Sequence, residues 1–224
     1  GAWGAALTGA LIFGFGGWVW GMLLITFFVL STLLSKYKET FKERLAEKFA
    51  KGSRRDLGQV LANDGVGAAI ALAYPLFPDP VLFFAFAGAM ATVNADTWAT
   101  ELGVLTRRPP RLITTGKVVE PGTSGGISLL GTFATLAGGG TIGAAGALCI
   151  ALDRLVRPTT MPGPLDARGG WLLVVSSALG GLAGSLFDSL LGATVQAIYY
   201  THVRQKETEK AIDPDGTPND LVRG

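Results

Sequence analysis

Residues 126–152 read GISLLGTFATLAGGGTIGAAGALCIAL, a run without one charged side chain. Wound as a helix at about 1.5 Å per residue, it exceeds the ~30 Å hydrocarbon core of a bilayer. Four more apolar runs, 2–34, 57–77, 81–105 and 170–203, are also long enough to cross. The pattern predicts an all-α, polytopic helical membrane protein of about five to six transmembrane helices. Residues 1–203 would form a single membrane domain and 204–224 a polar cytoplasmic tail. Composition agrees. Of 224 residues 49% are hydrophobic and 16% charged, and the mean hydropathy is +0.40, whereas soluble domains carry about 25% charge. Secreted, nucleic-acid-binding and soluble globular classes are excluded on this count. A single cysteine rules out an internal disulfide framework, and a single histidine argues against a multi-histidine metal site.

The placement of charge is more telling than its amount. All 19 Lys and Arg lie outside the apolar runs, whereas four of the 17 acids, Asp64, Asp96, Glu101 and Asp188, lie inside. Ionised carboxylates at membrane depth are costly and usually mark function, and acids without bases call for a cation. Between the first two runs, 36–51 alternates Lys and Arg with Glu while Tyr37, Phe41, Leu45 and Phe49 recur at i, i+4. That spacing predicts an amphipathic helix on the cytoplasmic membrane surface.

Basic connections fix the expected orientation. Segment 106–121 holds Arg107, Arg108, Arg111 and Lys117, whereas 78–80 holds only Asp79 between prolines. With the basic connections in the cytoplasm, 57–77 and 126–152 run outward and 81–105 and 170–203 return. Asp64 then lies about 10 Å from the cytoplasmic start of its helix. Asp96 and Glu101 precede a cytoplasmic end, and Asp188 sits near the midplane. These depths predict one site open to the cytoplasm.

Three further patterns bear on chemistry. In Asn94-Ala-Asp96-Thr-Trp-Ala-Thr-Glu101-Leu-Gly103, Asp96 adjoins a groove of small residues. Asn94 and Glu101 lie on a second face, with Glu101 about 140° from Asp96 on an ideal helix. The two acids meet one ligand only if the helix unwinds locally; otherwise they face different neighbours. In 180–196, Ser185, Asp188, Gly192 and Gln196 form a polar, small-residue stripe that lets another backbone or a ligand approach. Between these helices, 110–126 carries Arg111, Thr114 and Lys117, followed by Gly122, Thr123, Ser124, Gly125 and Gly126. Gly-rich chain leading into a helix is a natural phosphate cradle, with Thr123 or Ser124 as the expected cap. Arg111 and Lys117 would neutralise phosphate oxygens. Gln59 and Asn63 share a face beside Asp64 and are suited to a nucleotide or a metal-bound water. Together, acids and anion cradle on one membrane face suggest Mg²⁺ bridging carboxylates and phosphates.

At these motifs the sequence resembles the integral membrane family that includes plant phytyl-phosphate kinase and vertebrate transmembrane protein 19. The residues concerned are Gln59–Gly65, Ala95–Gly103, Pro110–Gly126 and Gly184–Gln196, in matching order and spacing over most of 1–200. Asp96-x-x-Ala99-x-x-x-Gly103 is also similar to the nucleotide-site pattern of dolichol kinases. The resemblance implies Mg²⁺-dependent transfer of a phosphoryl group from CTP, or another nucleoside triphosphate, to a prenyl monophosphate lipid. Carried residue by residue, Asp96 and Asp188 would hold the metal, with Glu101 and Asp64 supporting. Arg111 and Lys117 with the 122–126 turn would hold phosphates, and Asn63 would contact the nucleotide or a metal-bound water. Family members carry a further apolar helix before the region matching Gly1 and extend past the fifth segment with an Asp-Asn-x-x-Val-Asn-like stretch and a final membrane helix. Two other classes make different predictions from the same acids: a cation-coupled transporter, which would carry flux without nucleotide, and a non-catalytic membrane scaffold.

Overall fold

The computed structural model describes residues 2–37, 57–106, 108–156, 167–203, 206–208, 211–213 and 215–223. The first apolar run folds as two antiparallel pieces. Helix α1 (Ala2–Leu11) continues into a π-helical turn, Ile12–Gly16, which packs against the start of α2 (Trp18–Lys36). The reversal occurs at Gly17, whose φ of +87° and ψ of −177° belong to a region essentially reserved for glycine. The two pieces close tightly because Gly21 has no side chain. A Cβ there would stand 2.2 Å from the Phe13 ring.

Helix α3 (Leu57–Ala73) and helix α4 (Pro80–Gly103) form the next hairpin. Asp79 starts α4 by accepting a 2.8 Å hydrogen bond from the Val81 amide, with Pro80 in the first turn. Helix α5 (Leu129–Val156) and helix α6 (Ala167–Thr194) complete the bundle. Among the described residues, α2, α4, α5 and α6 are long and apolar enough to cross a membrane. The α1–π piece and Leu61–Ala73 are apolar but shorter. The architecture is the expected polytopic helical one.

Helices α4, α5 and α6 pack against one another, α2 rests on α4 and α5, and α3 bridges α1 and α4. In lipid the hydrophobic effect does not drive helices together, so close backbone approach has to supply the attraction. Glycine provides it here. A Cβ on Gly139 of α5 would stand 2.6 Å from the Ser177 carbonyl oxygen, and one on Gly143 would stand 2.6 Å from Val174 Cα, both on α6. On α6, a Cβ on Gly181 would stand 3.1 Å from the Ala91 carbonyl oxygen of α4. Trp20 anchors α2 laterally through rings of Tyr74, Phe83 and Phe86 at 5.1, 5.6 and 4.6 Å.

Two sequence expectations need correction. The run 170–203 is not one helix: α6 stops at Thr194. Ile198–Thr201 then becomes β3, the central strand of an antiparallel sheet with β4 (Lys206–Thr208) and β5 (Asp220–Arg223). Apolarity alone does not separate helix from strand, and Ile-Tyr-Tyr-Thr is a β-branched and aromatic stretch that favours strand. The boundary placed at 203/204 therefore cuts through a sheet, whose contacts include Thr201 donating to Asp213 and His202 pairing with Asp220 at 2.7 Å. The second correction concerns the facing ends of the last two runs: α5 continues past 152 to Val156, and α6 begins before 170, at Ala167. The amphipathic helix over 36–51 lies outside the described residues, apart from Lys36, which ends α2, and Tyr37.

Candidate functional site

Helices α4 and α6 run in the same direction, and their facing side chains meet in register. A Cβ on Gly184 would meet Thr92, and the Ser185 hydroxyl donates to Asp96 Oδ1 at 3.4 Å. Small residues at 181, 184 and 185 make that approach possible, as the stripe on 180–196 predicts. Beyond Ser185 the same side of α6 opens. Gly184, Asp188, Leu191 and Val195 follow one another at i, i+4, i+7 and i+11, and the last three are exposed. Asp188 thus lies one turn from the Ser185–Asp96 contact, on an exposed side of α6 that is otherwise apolar.

The basic loop closes on the end of α6. Chain 108–128 forms a short hairpin, with β1 (Arg111–Leu112) antiparallel to β2 (Gly126–Ile127). Its tip is tied by Gly116 N to Leu112 O at 2.8 Å and Leu112 N to Lys117 O at 2.9 Å. Gly125, at φ +80°, is seated on the last turn of α6. A Cβ there would lie 2.5 Å from Ala193 Cβ and 2.8 Å from Ala193 Cα and N. Ser124 donates to Gln196 Oε1 at 2.5 Å, and a Cβ on Gly192 would stand 2.5 Å from the Ser124 hydroxyl. Ser124, Gly125, Gly192 and Gln196 therefore form one clasp, a turn beyond Asp188.

The interior of the hairpin differs from the expected cradle. Thr123 N and Gly126 N are engaged within the turn, by Glu120 O at 3.1 Å and Thr123 O at 2.9 Å. The strand at 126–127 separates the turn from α5, so neither Thr123 nor Ser124 caps that helix. Ser128 does, its hydroxyl accepting from Gly131 N at 3.1 Å. Thr114 and Lys117 are exposed, as is Gly122. Arg111 is exposed as well and donates to Gly116 O at 2.8 Å, one of its five N–H donors.

The four acids do not converge. Glu101 faces α2, accepting from Ser35 at 2.8 Å, whereas Asp96 faces α6. The helix remains regular through both, so the second alternative for this pair holds: they serve different neighbours. Asp64 is buried at 2% exposure on α3. Its helix meets α4 through Gly67, whose Cβ would touch Met90 and Phe86. Met90 lies about 200° around α4 from Thr92, which faces α6, so Asp64 and Asp188 flank opposite sides of α4. Among the described residues no group of three or more His, Cys, Asp or Glu could hold a metal ion. The expected metal set of Asp96, Asp188 and Asp64 is therefore not brought together, Asp64 being separated from the other two by α4. Asn63, half-buried, stays with Asp64, and Gln59 lies in the first turn of α3. Asn94 is fully buried and donates through Nδ2 to Gly138 O at 2.8 Å, tying α4 to α5.

Sequence reading missed Ser35, Ser128 and one acid. Asp153 stands a residue beyond the apolar run, yet it is 4% exposed and accepts from Trp18 Nε1 at 2.6 Å. With Gly17, Leu152 and Val156 these residues line a cavity of about 370 Å³ at the opposite end of the bundle. The signal was present in the helical spacing: Gly146, Cys149, Ile150 and Asp153 continue one buried face.

Comparison with known proteins places this arrangement. The chain is 38% identical over 209 residues to Protein PGR of Arabidopsis thaliana, covering 87% of this chain and 70% of that protein. It is 32% identical over 190 residues to an uncharacterized membrane protein of Methanocaldococcus jannaschii, with coverages of 85% and 71%. A membrane protein of Synechocystis shares 26% over 200 residues, covering 87% and 71%. No solved structure matches significantly. The family model of integral membrane protein DUF92 matches residues 1–224, and the chain belongs to that family of integral membrane proteins.

Proposed function

We propose that this protein is a membrane-embedded prenyl-phosphate kinase, transferring the terminal phosphoryl group of CTP or another nucleoside triphosphate to a phytyl-like prenyl monophosphate. The observation that carries this reading is the seam itself. Asp96 of α4 meets Ser185 of α6, Asp188 follows one turn further along α6, and a basic hairpin is clasped to the same helix end by Ser124 and Gln196. Carboxylates and basic side chains thus belong to the same end of α4 and α6, which supports a site for a lipid phosphate there.

In this reading the acceptor phosphate lies between Asp188 and the hairpin, and the prenyl chain extends from there into the membrane, on the side of Asp188 away from the hairpin. Arg111 and Lys117 neutralise nucleotide phosphates, and Thr114 offers a hydroxyl. The clasp fixes the hairpin relative to Asp188, so that an oxygen of the acceptor phosphate can attack the terminal phosphorus in line. The new P–O bond forms as the bond to the leaving nucleoside diphosphate breaks. Such transfer depends on positioning and electrostatics more than on covalent groups from the protein.

The donor set fits Mg²⁺, which binds through one or two carboxylates and completes its shell with phosphate and water. Asp96 and Asp188 would hold it, and when bound it supplies charge neutralisation between the nucleotide phosphates. Glu101, held by Ser35 on the α2 side, is a positioning residue in this reading. The excess of bases on the hairpin supports a cytoplasm-facing site.

The test uses the full chain in nanodiscs with labelled CTP and prenyl monophosphate. Asp96→Asn should abolish transfer while the protein keeps its unfolding midpoint. Full activity in that variant overturns the assignment. Cation flux without nucleotide would instead favour a transporter.

A further inference from the structure

A second polar feature lies away from the seam, on the opposite side of α4. Among the described residues, Ser31 Oγ, Asn94 Oδ1 and Trp98 Nε1 are buried without a hydrogen-bond partner from the protein. Ser31 and Asn94 are both 0% exposed. The three atoms belong to one layer of the bundle. Asn94 and Trp98 are one turn apart on α4, and both meet Gly138 of α5. Asn94 donates to its carbonyl, and the Trp98 ring lies 3.0 Å from where a Gly138 Cβ would be. Helices α2 and α5 are antiparallel, with Leu23 against Gly146, so eight residues along each the same pairing brings Ser31 level with Gly138. Ser31 is also one turn below Ser35, whose hydroxyl faces α4 at Glu101.

We propose that this junction of α2, α4 and α5 is an internal water site. The donor and acceptor inventory is complementary. A water there accepts from the Trp98 indole N–H, donates to Asn94 Oδ1, and makes its third hydrogen bond with the Ser31 hydroxyl, the usual number for a buried water. Three orphaned polar atoms in a bilayer-spanning bundle would otherwise each carry a full desolvation penalty. One water satisfies all three and joins α2 to α4 a turn beneath the Ser35–Glu101 contact. The site is independent of the kinase reading, because it faces away from Asp96.

The experiment is proton NMR of the ¹⁵N-labelled full chain in nanodiscs, with the Trp98 indole resonance assigned through Trp98→Phe. The expected result is a cross-peak between that indole proton and water, weakened in Ser31→Ala. Unfolding midpoints of Ser31→Ala, Trp98→Phe and their double variant should be non-additive, since the two side chains share one partner. An indole proton that contacts only carbon-bound protons, with additive losses in midpoint, overturns the proposal.

Discussion

Gly125→Ala tests whether the hairpin is held on α6 as a rigid clasp. Two penalties meet at this residue. Its φ of +80° is left-handed, which costs a residue with a Cβ about 1–2 kcal/mol. The new Cβ would also stand 2.5 Å from Ala193 Cβ and 2.8 Å from Ala193 Cα and N. Backbone cannot rotate aside as a side-chain tip does, so overpacking adds about 1–3 kcal/mol. Gly116 is the internal control. It has φ +67° but nothing within 4 Å of the added Cβ, so Gly116→Ala carries the conformational cost alone. In a chain of this size each kcal/mol moves the midpoint by roughly 2–4 °C, so Gly125→Ala should melt roughly 2–12 °C below Gly116→Ala. If the hairpin lifts off instead, the loss in midpoint is smaller, near the ~1 kcal/mol of the Ser124–Gln196 hydrogen bond. The cost then appears as weaker stabilisation by CTP with Mg²⁺. Thermal unfolding in detergent, with and without nucleotide, reads both outcomes. Equal midpoints and equal nucleotide shifts for the two variants would refute the clasp.

Other expectations follow from the same contacts. Gly139→Ala pushes a methyl group to 2.6 Å from the Ser177 carbonyl and should lower stability by about 1–3 kcal/mol, measured as a midpoint shift. Asp188→Asn should abolish transfer, whereas Glu101→Gln, which keeps an acceptor for Ser35, should retain part of it in the same assay. Trp18→Phe removes a donor to the buried Asp153 and should cost about 1.5–3 kcal/mol by thermal unfolding. The nucleotide-induced shift should survive that change, since Asp153 lies at the other end of the bundle.

Much of the bundle was legible because long uncharged runs admit few alternatives in a bilayer. Apolarity does not state how a run is cut, however. The run 2–34 reads equally as one tilted helix or two pieces, and the choice rests on Gly17 together with a contact between Phe13 and Gly21 that periodicity does not report. The same limit hid β3, since Ile198–Thr201 extends an apolar run while preferring strand. At the site, spacing on a single helix was reliable and grouping across helices was not. The wheel separated Asp96 from Glu101 correctly, but only packing reveals that α3 and α6 sit on opposite sides of α4. Depth along the membrane normal placed Asp64 beside the other acids, and depth carries no information about azimuth.

That azimuthal division gives the buried acids distinct physical roles. Asp96 is half-buried and accepts a long hydrogen bond from Ser185, which turns its carboxylate toward α6. Glu101 accepts a shorter bond from Ser35, which ties the end of α4 to the end of α2. Asn94 lies about 160° from Asp96 around the same helix and fastens α4 to α5 through the Gly138 carbonyl. One helix thus presents Asp96 to one neighbour while polar contacts on its other faces fix it to two more. A phosphoryl-transfer site needs that combination, because a carboxylate displaced by about 1 Å loses much of its effect on rate. The Ser35–Glu101 and Asn94–Gly138 contacts are therefore expected to act on transfer through the position of Asp96, without touching the reacting atoms.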